Sequence, residues 1–187
     1  MRGWLVAALA AACLAGCASP EPKLYTIATV HGPVTAGGPK VVALRHIALA
    51  GFLDRQEIVR SSENYRLEVE SNDWWGEPLG AMLGRVLVEE LSQRLPGSSV
   101  YADSGAVSVS PDATVELNVQ RLDADAAGNV VLGAQAAVVF ERRRNAPVTR
   151  NFRIVVPQAG AGVPGEVAAI STAVGQLADG LATMLRR

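Results

Sequence analysis

A chain of 187 residues, 49% of them hydrophobic, holds enough apolar material for one domain with a sizeable core. Seventeen Lys and Arg stand against 18 Asp and Glu, a formal net charge of −1, and that balance argues against nucleic acid as a partner. With two cysteines and two histidines, the chain offers no metal-ligand cluster and no nucleophile–base triad of recognisable spacing, so an enzyme is not expected.

The N-terminus reads first. Met1-Arg2-Gly3 carries one positive charge, and an apolar run from Trp4 to Ala15 follows. A short basic start, an apolar stretch and small residues before a cut site make a secretory signal. The run is shorter than the roughly 20 residues that span a bilayer, so it does not stay as an anchor. The competing reading, a buried N-terminal helix, is opposed by Ser19-Pro20-Glu21-Pro22, which breaks any helix there. Leu14-Ala15-Gly16-Cys17 resembles the lipobox of bacterial lipoproteins. That resemblance implies cleavage before Cys17, a diacylglyceryl group on its thiol and acylation of the new amine. Two or three acyl chains on one residue exceed what stable anchoring requires. Residue 18 is Ala and not Asp, which favours the outer membrane over the inner. Cys13 leaves with the signal and Cys17 is alkylated, so no thiol remains for a disulfide, and no cofactor is expected beyond the covalent lipid. Residues 1–16 are thus expected as signal peptide, 17–22 as a lipidated tether and 23–187 as one domain.

Within that domain, residues 23–27 read as a first strand and 31–39 as a Gly/Pro loop that takes in His31. Residues 40–49, with His46, are apolar and β-rich, as a buried strand would be. Gly51-Phe52-Leu53-Asp54 looks like a turn. Residues 56–60 and 65–70 suggest a hairpin, the second strand half-buried because Tyr65, Leu67 and Val69 alternate with Arg66, Glu68 and Glu70. The period changes after Trp74-Trp75-Gly76-Glu77-Pro78. Leu79, Met82, Leu83, Val86, Leu87, Leu91 and Leu95 have helical spacing, with Pro78 in the first turn and Pro96-Gly97 as the stop. Strands are expected near 100–101, over 115–120, from 130 to 142 and from 148 to 156. Turns fall at 125–129 and 145–147, and residues 157–165 read as a loop. From Glu166 onward Val167, Ile170, Val174, Leu177, Leu181 and Leu185 mark a second helix. Strands, helix, strands, helix give an α+β domain: a largely antiparallel sheet with both helices packed on one face.

Two segments stand out together: Ala50-Gly51-Phe52-Leu53-Asp54-Arg55-Gln56-Glu57-Ile58-Val59-Arg60, and Trp75-Gly76-Glu77-Pro78-Leu79 opening the first helix. With the lipobox and the early Tyr25-Thr26-Ile27 strand, their order and spacing resemble the ABC-type transport auxiliary lipoproteins, the PqiC-like family. Gln56-Glu57 stands where the family usually has Pro-Gln, and Gly76 where it has Ala. The resemblance implies a non-enzymatic accessory lipoprotein of an intermembrane lipid-transport system. Its partner would be an MCE-domain protein, its place the periplasmic face of the outer membrane, and its assembly a ring of subunits. Trp75, Glu77, Pro78 and Leu79 would be the family's structural motif.

Each of these features has a plainer reading beside it. Leu53, Asp54 and Arg55 are either partner contacts or a turn in which Asp54 bonds nearby backbone N–H groups. Trp74 and Trp75 are neighbours on a strand and point to opposite faces, so Trp75 is expected in the core and Trp74 outside as a partner contact. Glu141-Arg142-Arg143-Arg144 either touches lipid headgroups or is a solvated hairpin end; three basic residues fall short of the roughly four to eight of a lipid-binding cluster. The apolar stripes of the helices either line a lipid pocket or cover the sheet. The alternative function is accordingly a lipoprotein that itself binds a lipid or another hydrophobic ligand.

Overall fold

The computed structural model describes residues 21–63, 65–103, 106, 109–141 and 146–186. Residues 1–20, which hold the expected signal peptide and Cys17, and residues 142–145, with the three arginines and part of an expected turn, lie outside the described residues. The elements run β1 (Lys23–Tyr25), β2 (Val41–Leu44), β3 (Ala48–Leu49), β4 (Glu57–Ser61), β5 (Glu68–Trp75), α1 (Leu79–Arg94), β6 (Ser99–Ala102), β7 (Ala113–Ala124), β8 (Asn129–Phe140), β9 (Val148–Pro157) and α2 (Gly162–Met184).

The twelve-residue β7 is the axis of the sheet. On one side it forms a meander with β8 and β9, antiparallel throughout. The β7–β8 turn follows from its residues: the Asp125 carboxylate accepts from the N–H groups of Ala127 and Asn129, and Gly128 supplies the left-handed residue at φ 79°. On its other side β7 meets three short strands in succession, β2, β3 and β4, all parallel to it. β6 extends β2 in parallel, and β1 extends β5 in parallel, while β4 and β5 form the expected antiparallel hairpin. The sheet is therefore mixed and not largely antiparallel. The parallel pairs join segments far apart in sequence, with α1 bridging β5 and β6, and such pairing leaves no local turn signal.

Alternation along β7 and β8 sorts the two faces. Val115, Leu117 and Val119 oppose Val138, Ala136 and Ala134, all buried under the helices. Glu116, Asn118 and Gln135 look the other way and are at least partly exposed. α1 and α2 pack on each other, α1 against β6 and α2 against β8 and β9. Met82, Val86, Leu87 and Leu91 of α1 are fully buried, each side chain stabilising the fold by about 1.5–3 kcal/mol. Pro78 sits one residue earlier than expected, as the cap whose carbonyl accepts from the Met82 N–H. α2 begins four residues before the expected Glu166, because Pro164 falls in its first turn, where a missing N–H costs nothing.

Two further expectations fail here. β5 starts only at Glu68, and Tyr65, Leu67 and Val69 point into water at 110%, 44% and 36% exposure. The β4–β5 ladder slips register between Glu57 and Val59 and again before Ser61, so the alternation of 65–70 does not follow the core face. The first strand ends at Tyr25. Beyond it, residues 26–35 form an extended strap across the helices: Ile27 N–H meets the Met82 sulfur, Ala28 N–H donates to Ser171 Oγ, and Thr35 N–H donates to the Arg94 carbonyl.

Candidate functional surface and buried charge clusters

The hairpin register brings the two family-like segments side by side. Glu57 of β4 lies opposite Trp74 of β5, and the Trp75 N–H donates to the Gln56 carbonyl at 2.7 Å. β1 completes the corner, with Leu24 beside Trp74 and Tyr25 beside Trp75. Trp75 is 6% exposed and belongs to the core, as expected, whereas Trp74 is half-buried with its indole N–H donating to the Ser71 carbonyl at 3.0 Å. The Gly76 N–H donates to the Tyr25 carbonyl, which carries the chain from strand into helix. Glu77 then binds Arg85, nearly two turns into α1, through both Nε and Nη2 at 3.0 and 2.6 Å. Leu79 is buried.

The 50–55 turn divides its residues differently. Leu53 is 2% exposed and joins the core, so it offers no surface to a partner. Its N–H closes the turn on the Ala50 carbonyl. Asp54 and Arg55 are exposed, and Arg55 reaches back to Glu57 at 3.2 Å. Together with its own backbone N–H, that contact holds the Glu57 carboxyl below the usual carboxylate range. Tyr25 donates to Asp73 at 2.7 Å, and the shared proton raises the phenol above its ordinary value. Asp54, Arg55, Glu57, Trp74 and Leu24 thus define one polar, aromatic corner at the β4–β5–β1 edge.

Two clusters of buried charge escaped the sequence reading. In the first, Arg94 is 1% exposed at the end of α1. Its Nε meets Asp179 at 2.6 Å, Nη1 donates to the carbonyls of Val30 and Glu90, and Nη2 donates to the Gly175 carbonyl. Glu90, one turn earlier, accepts the Val30 N–H at 2.8 Å, and Gln93 bonds both backbone groups of Gly32. Burial pushes Glu90 up to about 7, against the pull of the Val30 N–H and Arg94. In the second, Glu166 of α2 is 0% exposed and lies 2.5 Å from Arg60 Nε, without hydrogen-bond geometry for either of its oxygens. Arg60 also meets Glu70, and nearby Arg121 pairs with Asp123 and Glu63. Burial pushes Glu166 up to about 7 as well, opposed by Arg60 and reinforced by Asp123 and Glu70. The signal for both lay in helical spacing: Glu90 and Arg94 fall on the stripe of Leu83, Val86 and Leu87, and Glu166 on that of Ile170.

Carboxyls that titrate near neutrality are the usual material of acid–base catalysis, but these two are sealed from any substrate. Among the described residues no group of three or more His, Cys, Asp or Glu is set to hold a metal ion, and His31 and His46 are both exposed. No helix among the described residues is long and apolar enough to cross a membrane. The apolar stripes of α1 and α2 are spent on the core. A shallow cleft of about 590 Å³ on the face away from the helices is lined by Arg45, His46, Glu116, Asn118 and Gln135 together with Ala48, Ala136 and Ala137, and more of its surface is apolar than polar.

Comparison with known proteins follows from this architecture. Residues 24–182 match the family described as ABC-type transport auxiliary lipoprotein component. The chain is 28% identical over 102 residues to the intermembrane transport lipoprotein PqiC of Escherichia coli (strain K12), and equally to that of Shigella flexneri. Those alignments cover 52% of this chain and 54% of the relatives, so the chain spans about half the length of the curated proteins it matches. Its fold is similar to that of an uncharacterised protein of known crystal structure, with a TM-score of 0.72 and 19% identity over 88% of this chain and 98% of the other. It is similar too to protein XCC0632 from Xanthomonas campestris, with a TM-score of 0.68 and 19% identity over 85% and 92%. The family match takes in both family-like segments and both helices, and this chain belongs to the ABC-type transport auxiliary lipoprotein component family.

Proposed function

We propose that this protein is a non-enzymatic accessory lipoprotein of an intermembrane lipid-transport system, held by lipid on Cys17 at the periplasmic face of the outer membrane. The observation that carries this reading is the family match over residues 24–182, which the relatives' name, intermembrane transport lipoprotein, supports. The partner is an MCE-domain protein of the transport machine. The chain's task is attachment: it fixes the periplasm-spanning assembly to the membrane in which its own acyl chains sit, as a homo-oligomer if several copies are engaged. The contact is assigned to the corner of Asp54, Arg55 and Trp74, where a half-buried indole beside a charged pair has the composition of an interface hot spot.

The experiment is an affinity capture from crosslinked cell envelopes with tagged wild type, Cys17→Ala and Trp74→Ala. Wild type should bring down an MCE-domain protein, Cys17→Ala should bring down less and leave the membrane fraction, and Trp74→Ala should weaken capture without leaving it. Absence of every transport component from the wild-type sample would overturn the accessory role.

A further inference from the structure

The exposed large apolar side chains of the described residues are unevenly placed. Three of them, Tyr65, Leu67 and Val69, fall within five residues at the tip of the β4–β5 hairpin, and Leu24 lies on the neighbouring strand β1. Single exposed apolar residues need no explanation, but a group does. Tyr65 is fully exposed and holds φ at 62°, a left-handed backbone that a bulky L-residue rarely adopts, in a turn closed by the Arg66 N–H on the Glu63 carbonyl. Arg66 between them is exposed as well. An aromatic ring with a polar tip, a cation and a leucine in sequence are the groups that settle at the boundary of headgroups and acyl chains.

The direction of the chain says what covers this tip. β1 runs parallel to β5 with Lys23 beside Asp73, so the chain enters β1 from the side on which β5 begins, which is the side of the hairpin tip. Glu21, two residues before Lys23, is therefore about level with Ser71. Four residues separate Glu21 from Cys17, and four separate Ser71 from Leu67. At roughly 3.3–3.6 Å per fully extended residue, four residues span at most about 14 Å, so a lipid on Cys17 has the reach to lie level with the tip and not far beyond it.

We propose that the β4–β5 tip, through Tyr65, Arg66 and Leu67, is a second membrane contact that seats the domain on the lipid surface beside its own anchor. The proposal rests on the Cys17 anchor put forward above. Glu68 is exposed next to the tip and disfavours a strongly anionic surface, so the fitting occupant is a mainly zwitterionic leaflet. The tip fixes the tilt of the domain, which a lipid tether alone leaves free.

The test uses protein made with its own signal, purified from envelopes and placed in vesicles rich in phosphatidylethanolamine, with intact mass reading the state of Cys17. Tyr65→Trp serves as the probe against the baseline of Trp74 and Trp75. Lipid brominated near the headgroup should quench the added emission at least twofold, and in wild type amide exchange at residues 65–69 should slow several-fold when vesicles are present. A lipidated protein whose tip is neither quenched nor slowed overturns the contact and leaves the anchor standing. A mass showing unmodified Cys17 overturns the anchor and, with it, this proposal.

Discussion

Arg94 and Arg60 each form an ion pair with one buried member, Arg94 itself in the first and Glu166 in the second, yet the two neighbourhoods are built differently. Every N–H-bearing nitrogen of Arg94 finds an acceptor, and three of those acceptors are backbone carbonyls from three separate segments: the strap, α1 and α2. Arg60 meets Glu166 and Glu70 only through side chains, its own Nε lacks a hydrogen bond, and both Glu166 oxygens lack one too. Burying a charge costs several kcal/mol of lost hydration, and good geometry decides whether that is offset. The Arg94 cluster fastens the strap to the helices. The Glu166 cluster adds little to stability for a similar desolvation cost, and its carboxyl stays half-inclined to hold a proton.

Substitution should separate them. Arg94→Met strands buried carbonyls of Val30, Glu90 and Gly175, and should cost about 2–4 kcal/mol, mainly the penalty of leaving buried acceptors unpaired, since Asp179 is half-exposed and can be solvated. Urea unfolding checks the loss, and limited proteolysis should show new cuts within residues 26–35. Gly32→Ala is the milder form of the same break. Its added Cβ would lie 2.3 Å from Arg94 Nη2 and 2.4 Å from Asp179 Oδ1, so a loss of about 1–3 kcal/mol from overpacking is expected in the same assay.

The carboxyls make the contrast sensitive to pH. Glu90 and Glu166 both stand at about 7, above the ordinary 4.5, so the folded state favours their protonated forms. No penalty applies below the ordinary value; it grows as pH rises through that window and is complete above the folded value. Melting temperature should therefore fall between pH 5 and pH 8. Glu57 and Asp125, both lowered, act in the opposite sense only in more acidic solution. Glu166→Gln should flatten the fall and gain roughly 1 kcal/mol at pH 8, since neither Glu166 oxygen has a hydrogen bond to lose. A flat wild-type profile would break the comparison. The smallest effect is expected outside both clusters: Tyr65→Gly removes the left-handed strain and should stabilise the free protein by about 1 kcal/mol while abolishing vesicle contact at the tip.

The hairpins and helices were legible because their partners are close in sequence. Asp125 to Asn129 announces the β7–β8 turn, and the leucines of α1 announce its buried face. The parallel half of the sheet was not legible, since Val42 and Ala113 pair with no turn between them to read. Nor was the reversal at 65–69, where a perfect alternation faces water because the ladder slips. At the surface, Trp75 went to the core as expected but Trp74 is half-buried and not fully exposed, while Leu53 went to the core because its backbone closes a tight turn over Ala50. The strap was divided in the sequence between the end of an expected first strand at 26–27 and a Gly/Pro loop at 31–39. Its fastening depends on donors and acceptors that arrive from both helices, Glu90, Gln93 and Arg94 of α1 and Ser171 of α2.

The parallel pairing of β1 with β5 also has a mechanical consequence. A pull on the N-terminal side of the chain runs along the axis of β1, so it strains the bonds of that three-residue strand together in shear and does not peel them one by one. Should β1 slide, the load passes within a few residues to Val30 and Gly32, where Glu90, Gln93 and Arg94 grip the backbone. A load on the N-terminal side would thus be borne in two stages, first by the sheet and then by the helical layer, with the core residue Ile27 drawn from its place as the first stage yields.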